Sequence, residues 1–402
     1  MTRTQGVRIG KVERPIRILI NRDPMIRVLV VDDSAFMRKA ISMMLEEDAD
    51  VQVVDTARDG LEAIDKVKRL RPDLVTMDIE MPRMDGITAL KRIMAEHPVP
   101  VMMISSLTQE GAQATVEALQ VGAVDFIPKQ MSYVSLEITK IKADLIAKVK
   151  SIARSRSRMF RRTPSALGDR PSAGIAPAPA IARPASAAGP PLRHQAAGLL
   201  AIGVSTGGPF ALQKVIPALP KDFPLPVVIV QHMPPHFTRS LADRLDTLSA
   251  LRVAEAAPGM PVEPGTVLIA PGGRHLVFRP SKPGVIVATP EEPSNLLHRP
   301  SVDVMFQSAC RAYGGKVLAL MMTGMGKDGL EGAREIKQQG GKVVAQSEET
   351  CVVYGMPKVV VEAGLADAVL PLEDLAGALT KAVGQRVNPA AGRPSSIGLH
   401  SL

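Results

Sequence analysis

Short runs of apolar residues, each closed by polar side chains, recur along this chain with helix-like stretches between them. The first run is Ile26-Arg27-Val28-Leu29-Val30-Val31, and Asp32 and Asp33 follow it directly. Asp73-Leu74-Val75-Thr76-Met77 leads to Asp78, Val101-Met102-Met103-Ile104 to Ser105 and Ser106, and Phe126-Ile127 to Pro128 and Lys129. The pattern resumes near residue 199. Leu199 to Val204 runs into Ser205-Thr206-Gly207-Gly208-Pro209 and a helical stretch from Phe210 to Ile216. Pro226 to Gln231 is followed by His232, and Lys316 to Met322 by Thr323-Gly324-Met325-Gly326-Lys327-Asp328-Gly329. Near-continuous apolar strands alternating with helices predict parallel sheets covered on both faces. The fold class is therefore α/β, with two doubly wound units, and ligands gather beyond the C-terminal ends of such strands.

The pattern lapses in three places, and these set the domain boundaries. Residues 151–197 are rich in Pro, Ala, Ser and Arg with few large apolar residues. Such a segment buries too little surface to offset its ordering entropy, so it reads as a disordered linker whose first part, to about Ile152, continues the last helix of the first domain. At about 45 residues its r.m.s. reach is roughly 35–40 Å. Residues 387–402 read as a flexible tail, leaving domains at 25–150 and 198–386. Residues 1–24 form an extension, either a basic arm or residues ahead of a natural start at Met25.

Charge then sharpens the picture. The net charge is +9, but residues 1–24 carry +4 and residues 151–197 carry +7, which leaves the remainder at −2. Basicity outside the folded units, no tryptophan and few aromatics argue against a nucleic-acid platform. The basic run from Arg154 to Arg162 reads as a solvated charge run. Cys310 and Cys351 make neither a disulfide framework nor a metal cage, and fit packed residues in a reducing cytoplasm. No apolar run reaches membrane-span length and no signal-peptide pattern is present.

The first domain gathers Asp32, Asp33 and Asp78 at neighbouring strand ends. Three carboxylates there repel one another unless a cation lies among them, and hard oxygen donors with room for water and phosphate suit Mg2+. Ser105 and Lys129 would then meet phosphoryl oxygens. The segments VVDDSAFMRKAI, TMDIEMPRMDGITAL and FIPK resemble the receiver domain of two-component signalling. The resemblance implies a flavodoxin-like, five-stranded parallel sheet, with Asp78 as phosphate acceptor. It also implies Mg2+ ligands at Asp32 or Asp33, Asp78 and the Glu80 backbone carbonyl, with Ser105, Phe126 and Lys129 as switch residues.

The second domain has different chemistry. Gly203-Val204-Ser205-Thr206-Gly207 fits G-x-S-x-G, a tight strand-to-helix turn that exposes a serine hydroxyl near helix-terminal N–H groups. Alone, the pattern equally fits a structural or phosphate-binding turn. His232 and Asp328 at two further strand ends complete a set of nucleophile, base and orienting acid. The order Ser, His, Asp differs from that of α/β-hydrolases. Asp303, in the first turn of a helix, is a rival acid. His275 and His298 read as loop histidines, and Arg299 as a charged residue before a helix capped near Ser301, or as a contact for an acidic partner helix.

GVSTGGP, VQHMP, IAPGGRH, HRPSVDVMF and LMMTGMGKDG resemble the catalytic domain of the chemotaxis protein-glutamate methylesterases, the CheB family. That family couples such a domain to a receiver in this order. The resemblance implies Ser205 as nucleophile, His232 as base, Asp328 as its acid, Thr206 beside the nucleophile and the Met325 N–H as oxyanion donor. It further implies hydrolysis of methyl glutamate esters on chemoreceptor cytoplasmic helices, glutamine deamidation in many members, and no cofactor for the esterase. A histidine kinase would be the phosphodonor, with the protein cytoplasmic and recruited to receptor arrays. The rival classes are a transcriptional response regulator, which lacks a recognition-helix pattern here, and a phosphorylation-controlled binding module with a relic triad.

Overall fold

The computed structural model describes residues 25–129, 135–160 and 192–384. The N-terminal extension, the linker from 161 to 191 and the expected tail lie outside the described residues. In the first domain β1 (Ile26–Val31), α1 (Ala35–Glu46), β2 (Val51–Ala57), α2 (Gly60–Leu70), β3 (Leu74–Asp78), α3 (Gly86–Glu96), β4 (Val101–Ser105), α4 (Gln109–Gln120), β5 (Asp125–Pro128) and α5 (Ser135–Phe160) alternate strictly. The strands form one parallel sheet in the order β2-β1-β3-β4-β5. Side chains of Ser34, Asp59, Asp85 and Thr108 accept backbone N–H bonds at the starts of α1 to α4, which satisfies orphan donors there. β1, β3 and β4 are almost wholly buried. β2, at the sheet edge, mixes Gln52, Asp55 and Thr56 with its valines, so no apolar run announces it.

The second domain contains β6 (Leu199–Val204), α6 (Gly208–Val215), β7 (Val227–Gln231), α7 (Phe237–Leu248), β8 (Arg252–Glu255), β9 (Thr266–Ile269), a hairpin of β10 (Val277–Pro280) and β11 (Val285–Ala288), α8 (Val302–Tyr313), β12 (Val317–Met321), α9 (Leu330–Gln338), β13 (Lys342–Gln346), α10 (Met356–Glu362), β14 (Ala368–Leu370) and α11 (Leu372–Val383). Seven strands form a parallel sheet in the order β14-β13-β12-β6-β7-β9-β8. The chain builds from β6 toward β8, then returns to β12 on the other side of β6. Strand order thus reverses between β6 and β12, where a parallel sheet opens a crevice at its C-terminal edge. The first sheet reverses likewise between β1 and β3.

Both ends of the expected linker need correction. α5 continues to Phe160, eight residues past Ile152, because Leu145, Val149 and Ile152 bury one face and the helix propagates beyond them. At the other end Leu192 and Ala197 pack on the second core, and the His194 N–H donates to the Ala382 carbonyl. The segment between the described domains is therefore 161–191.

The domains meet through apolar surface. α4 packs against α6 and α7. Val352 and Val353 join the core under α5. A cavity of about 310 Å³ remains between Met94 and Gly122–Val124 on one side and Gly207, Phe210 and Cys351 on the other.

Candidate active site

In the first domain Asp32, Asp33 and Asp78 bring carboxylate oxygens within 4.8 Å of one another. Lys129 bridges two of them, with Nζ 2.6 Å from Asp78 Oδ2 and 3.1 Å from Asp32 Oδ2. Burial, joined by the like charge of Asp32, pushes the Asp78 carboxyl up to about 6 against the pull of Lys129. Excess negative charge in a pocket of hard oxygens is what a divalent cation relieves, so the residues fit Mg2+. Asp33, Asp78, Glu80, Ser105 and Lys129 line that pocket. The Ser105 hydroxyl donates to the Gly111 carbonyl at 3.0 Å, which ties it to the first turn of α4.

In the second domain the β6–α6 turn places Ser205 half-buried at the crevice. Gly207 has φ 75°, and a side chain there would collide with Val352, so the turn requires glycine. The Ser205 N–H donates to the Thr323 carbonyl, and its own carbonyl accepts from the Gly208 N–H and from Gln231 Nε2. Gly324 lies against Ser205 so closely that a Cβ on it would stand 2.9 Å from the serine Cβ. The loop after β12 therefore closes over Ser205. Among the described residues the N–H groups of Thr206 and Met325 donate to no protein acceptor. That leaves one unpaired donor in the Ser205 turn and one in the loop packed against it.

His232 follows β7, and its Nε2 lies 2.8 Å from Asp328 Oδ2. Its Nδ1 is buried and, among the described residues, has no hydrogen-bond partner. Asp328 is gripped at the start of α8. Oδ1 accepts from the Ser301 hydroxyl at 2.9 Å and the Asp303 N–H at 3.0 Å, while Oδ2 also accepts from the Val302 N–H at 2.7 Å. Burial alone would raise this carboxyl. His232 and the helix N–H donors outweigh it and hold Asp328 well below the usual carboxylate range. Asp303, the rival acid, meets Gly332: its Oδ1 accepts from the Gly332 N–H at 2.7 Å, and burial beside Asp328 raises it to about 6.

The remaining histidines divide. The Ser301 N–H donates to His275 Nδ1, so its Nε2 carries the proton and donates to the Pro293 carbonyl at 3.0 Å. This buried ring is a structural support beneath the α8 cap, and burial lowers its pKa. His298 instead stacks on His232, with centroids 4.1 Å apart and planes 15° from parallel. Sequence reasoning missed that stack, along with the roles of Ser301 and Gln231. Only Ser301 carried a signal, as a cap residue.

Burial first, then the nearby charge of His232, pushes His298 down to about 4, with Asp328 opposing and Lys148 adding to the effect. The unfolded chain takes this proton below the ordinary histidine value of ~6.5, whereas the fold refuses it until about pH 4. Stability from His298 is therefore complete above ~pH 6.5 and falls by up to about 3 kcal/mol on descending to pH 4. Asp78 and Asp303 are shifted upward and work in the opposite direction, so the difference between proteins is the readout. Urea unfolding of His298→Phe should lose less stability between pH 7 and pH 4.5 than the wild type does. Equal losses would contradict this account.

Phe126, expected to be a switch residue, is buried between the domains. Its ring stacks on Phe237, the first residue of α7, at 4.5 Å and 10°. Lys148 on α5 donates to the Phe126 carbonyl at 3.1 Å and pairs with Asp125 at 3.0 Å. On the same side Ser151 lies 3.8 Å from the Met325 sulfur. The α4-β5-α5 side of the first domain thus abuts the loop that flanks Ser205.

A five-stranded parallel domain with an acidic, lysine-bridged pocket is the architecture of a receiver, and here its partner domain carries a serine beside a histidine–aspartate pair. The chain is of the response-regulator class with a hydrolase-type output domain. It belongs to the CheB methylesterase family. The family model for the response regulator receiver domain matches residues 28–139 and that for CheB methylesterase matches residues 200–379. A relative from Oleidesulfovibrio alaskensis, named protein-glutamate methylesterase/protein-glutamine glutaminase 1, is 52% identical over 371 residues, which covers 89% of this chain and 100% of the relative. A second, from Nitratidesulfovibrio vulgaris and named protein-glutamate methylesterase/protein-glutamine glutaminase 2, is 49% identical, covering 88% of this chain and 98% of the relative. The crystal structure of the Thermotoga maritima CheB methylesterase catalytic domain is 48% identical, covers 46% of this chain and 97% of that chain, and has a TM-score of 0.45.

Proposed function

We propose that this chain is a phosphorylation-regulated serine hydrolase that demethylates glutamate methyl esters on chemoreceptor cytoplasmic domains and deamidates receptor glutamines. The observation that carries the reading is the His232–Asp328 pair at the switch point of the second sheet, with His232 Nδ1 left free beside the Ser205 turn. The close relatives named for both activities support the substrate class.

Ser205 Oγ attacks the ester carbonyl carbon while His232 Nδ1 takes its proton, and the Asp328 carboxylate stabilises the imidazolium. The free N–H groups of Met325 and Thr206 face the oxyanion, and one such donor is worth roughly 2.7–4 kcal/mol in a well-studied hydrolase. As the C–O bond breaks, the imidazolium proton passes to the departing methoxide, which leaves as methanol. Water, deprotonated by His232, then resolves the acyl-enzyme and the proton returns to Ser205. From a glutamine side chain the same sequence releases ammonia.

Asp78 is the phosphate acceptor in this reading, with a histidine kinase as donor. Asp32, Asp33, Asp78 and the Glu80 carbonyl would hold Mg2+, which would neutralise the phosphoryl oxygens. Lys129 is poised to leave its two carboxylates for the phosphoryl group. Ser105 would exchange Gly111 for the same group, releasing α4 and with it the Phe126–Phe237 contact. Recruitment to receptor arrays follows from the substrate.

Direct docking of the receiver beside Met325 accounts for inhibition at rest. Because α5 runs to Phe160, a clean deletion ends there rather than at residue 150. Removal of residues 1–160 should raise esterase activity above that of the unphosphorylated full chain by on the order of 5–30-fold, the ratio for a docking preference of about 1–2 kcal/mol. The assay is methanol release from a methylated chemoreceptor fragment. An unchanged or lower rate would eliminate inhibition by docking and leave the receiver a recruiting role.

A further inference from the structure

The segment from His298 to Asp303 holds both partners of the catalytic pair. Its C-terminal part supplies the Ser301 hydroxyl and the Val302 and Asp303 N–H groups that fix Asp328. Its first residue lays an imidazole face on His232. Besides its covalent link at Cγ, the His232 ring is held by the Asp328 bond at Nε2, and a ring held at those two atoms can still turn about the line between them. Turning swings Nδ1, which lies off that line, and Nδ1 is the atom that must meet Ser205 Oγ. A parallel plane 4.1 Å away blocks the turn on that face. Among the described residues the nitrogens of His298 make no hydrogen bond to protein, so the stack is its one specific contact with the site.

We propose that His298 is a positioning residue, whose ring stacks on His232 and holds Nδ1 of the base in line with Ser205. The inference rests on the reading of His232 as the general base. Burial, which keeps His298 uncharged to about pH 4, supports the same role. A neutral π-face against the imidazolium that forms during acylation is attractive, whereas a second cation would repel it.

The requirement is for a flat ring and not for a second acid or base, and this separates the role from its rivals. In the phosphorylated full-length chain, His298→Leu should lower kcat for the methylated receptor fragment about tenfold, in line with the loss of one aromatic pair. KM should stay within about twofold, because the substrate's remote contacts are untouched. His298→Phe restores a plane and should recover kcat to within about threefold of wild type. A small fluorophosphonate, which labels Ser205 without receptor contacts, should react more slowly with the Leu variant by the same factor as kcat. If the Leu variant does not fold, as judged by circular dichroism, His298→Gln carries the same comparison. The proposal is overturned if the ringless variants retain wild-type kcat, if only KM changes, or if the Phe variant is as impaired as the ringless one. Failure of the underlying reading would show separately, as activity surviving in His232→Gln.

Discussion

Ser205→Ala is expected to reduce ester hydrolysis by about 10⁴-fold or more, the scale seen when a serine hydrolase loses its nucleophile. The turn itself should survive. Its conformation depends on the Ser205 backbone bonds to Thr323, Gly208 and Gln231 and on Gly207, none of which uses the hydroxyl. Thermal stability and phosphorylation of Asp78 should therefore be unchanged. His232→Gln should fall nearly as far. Asp328→Asn should also lose several orders of magnitude, because an amide cannot stabilise the imidazolium. Asp328→Asn should cost stability too, since its carboxylate accepts from two helix N–H groups and a hydroxyl. Methanol release from a methylated receptor fragment, set beside melting curves, reads both effects. More than a few per cent of activity in Ser205→Ala would overturn the nucleophile assignment.

Asp78→Asn is expected to abolish phosphoryl transfer and, with it, stimulation of the esterase. An amide oxygen is a poor nucleophile, and loss of the carboxylate weakens a metal site made of hard anionic donors. The resting geometry should persist, because Lys129 retains Asp32 at 3.1 Å and the domain contact at Phe126 and Phe237 lies apart from the pocket. Hydrolysis should thus remain at its unstimulated level. Incubation with a small phosphodonor and Mg2+, with and without chelator, followed by separation of phosphorylated from unmodified protein, provides the measurement. Mg2+-dependent labelling that persists in the variant would place the acceptor elsewhere.

The apolar runs were strong predictors where strands are buried on both faces. β1, β3, β4, β6, β7 and β12 all fall where the runs indicated, and Asp78 proves to be the last residue of its strand rather than the first beyond it. The same signal failed at sheet edges. β2 and β8 carry polar residues that break any apolar run, and β14, though apolar, spans only three residues and is too short to stand out. The helical extension to Phe160 was hidden because arginine suits a helix as well as it suits a linker.

Sequence by itself determined the two α/β units, the strand-end positions of Asp32, Asp33, Asp78, Ser205, His232 and Asp328, and the residue types gathered there: carboxylates with a lysine in one domain, and a serine, a histidine and an aspartate in the other. Local periodicity and turn chemistry act over a few residues, and these features need no more. Apart from the family resemblance, only tertiary structure shows which carboxylate meets His232. Asp303 and Asp328 both stand near the start of a helix, and the packing of α8 against the β12 loop brings Asp328 to His232 and Asp303 to Gly332. It also decided that His298 lies on His232 while His275 lies beneath the α8 cap, and that Phe126 meets Phe237 across more than a hundred residues of chain. Such contacts depend on the order in which strands enter a sheet and on how two folded units dock, and nothing in local pattern encodes either.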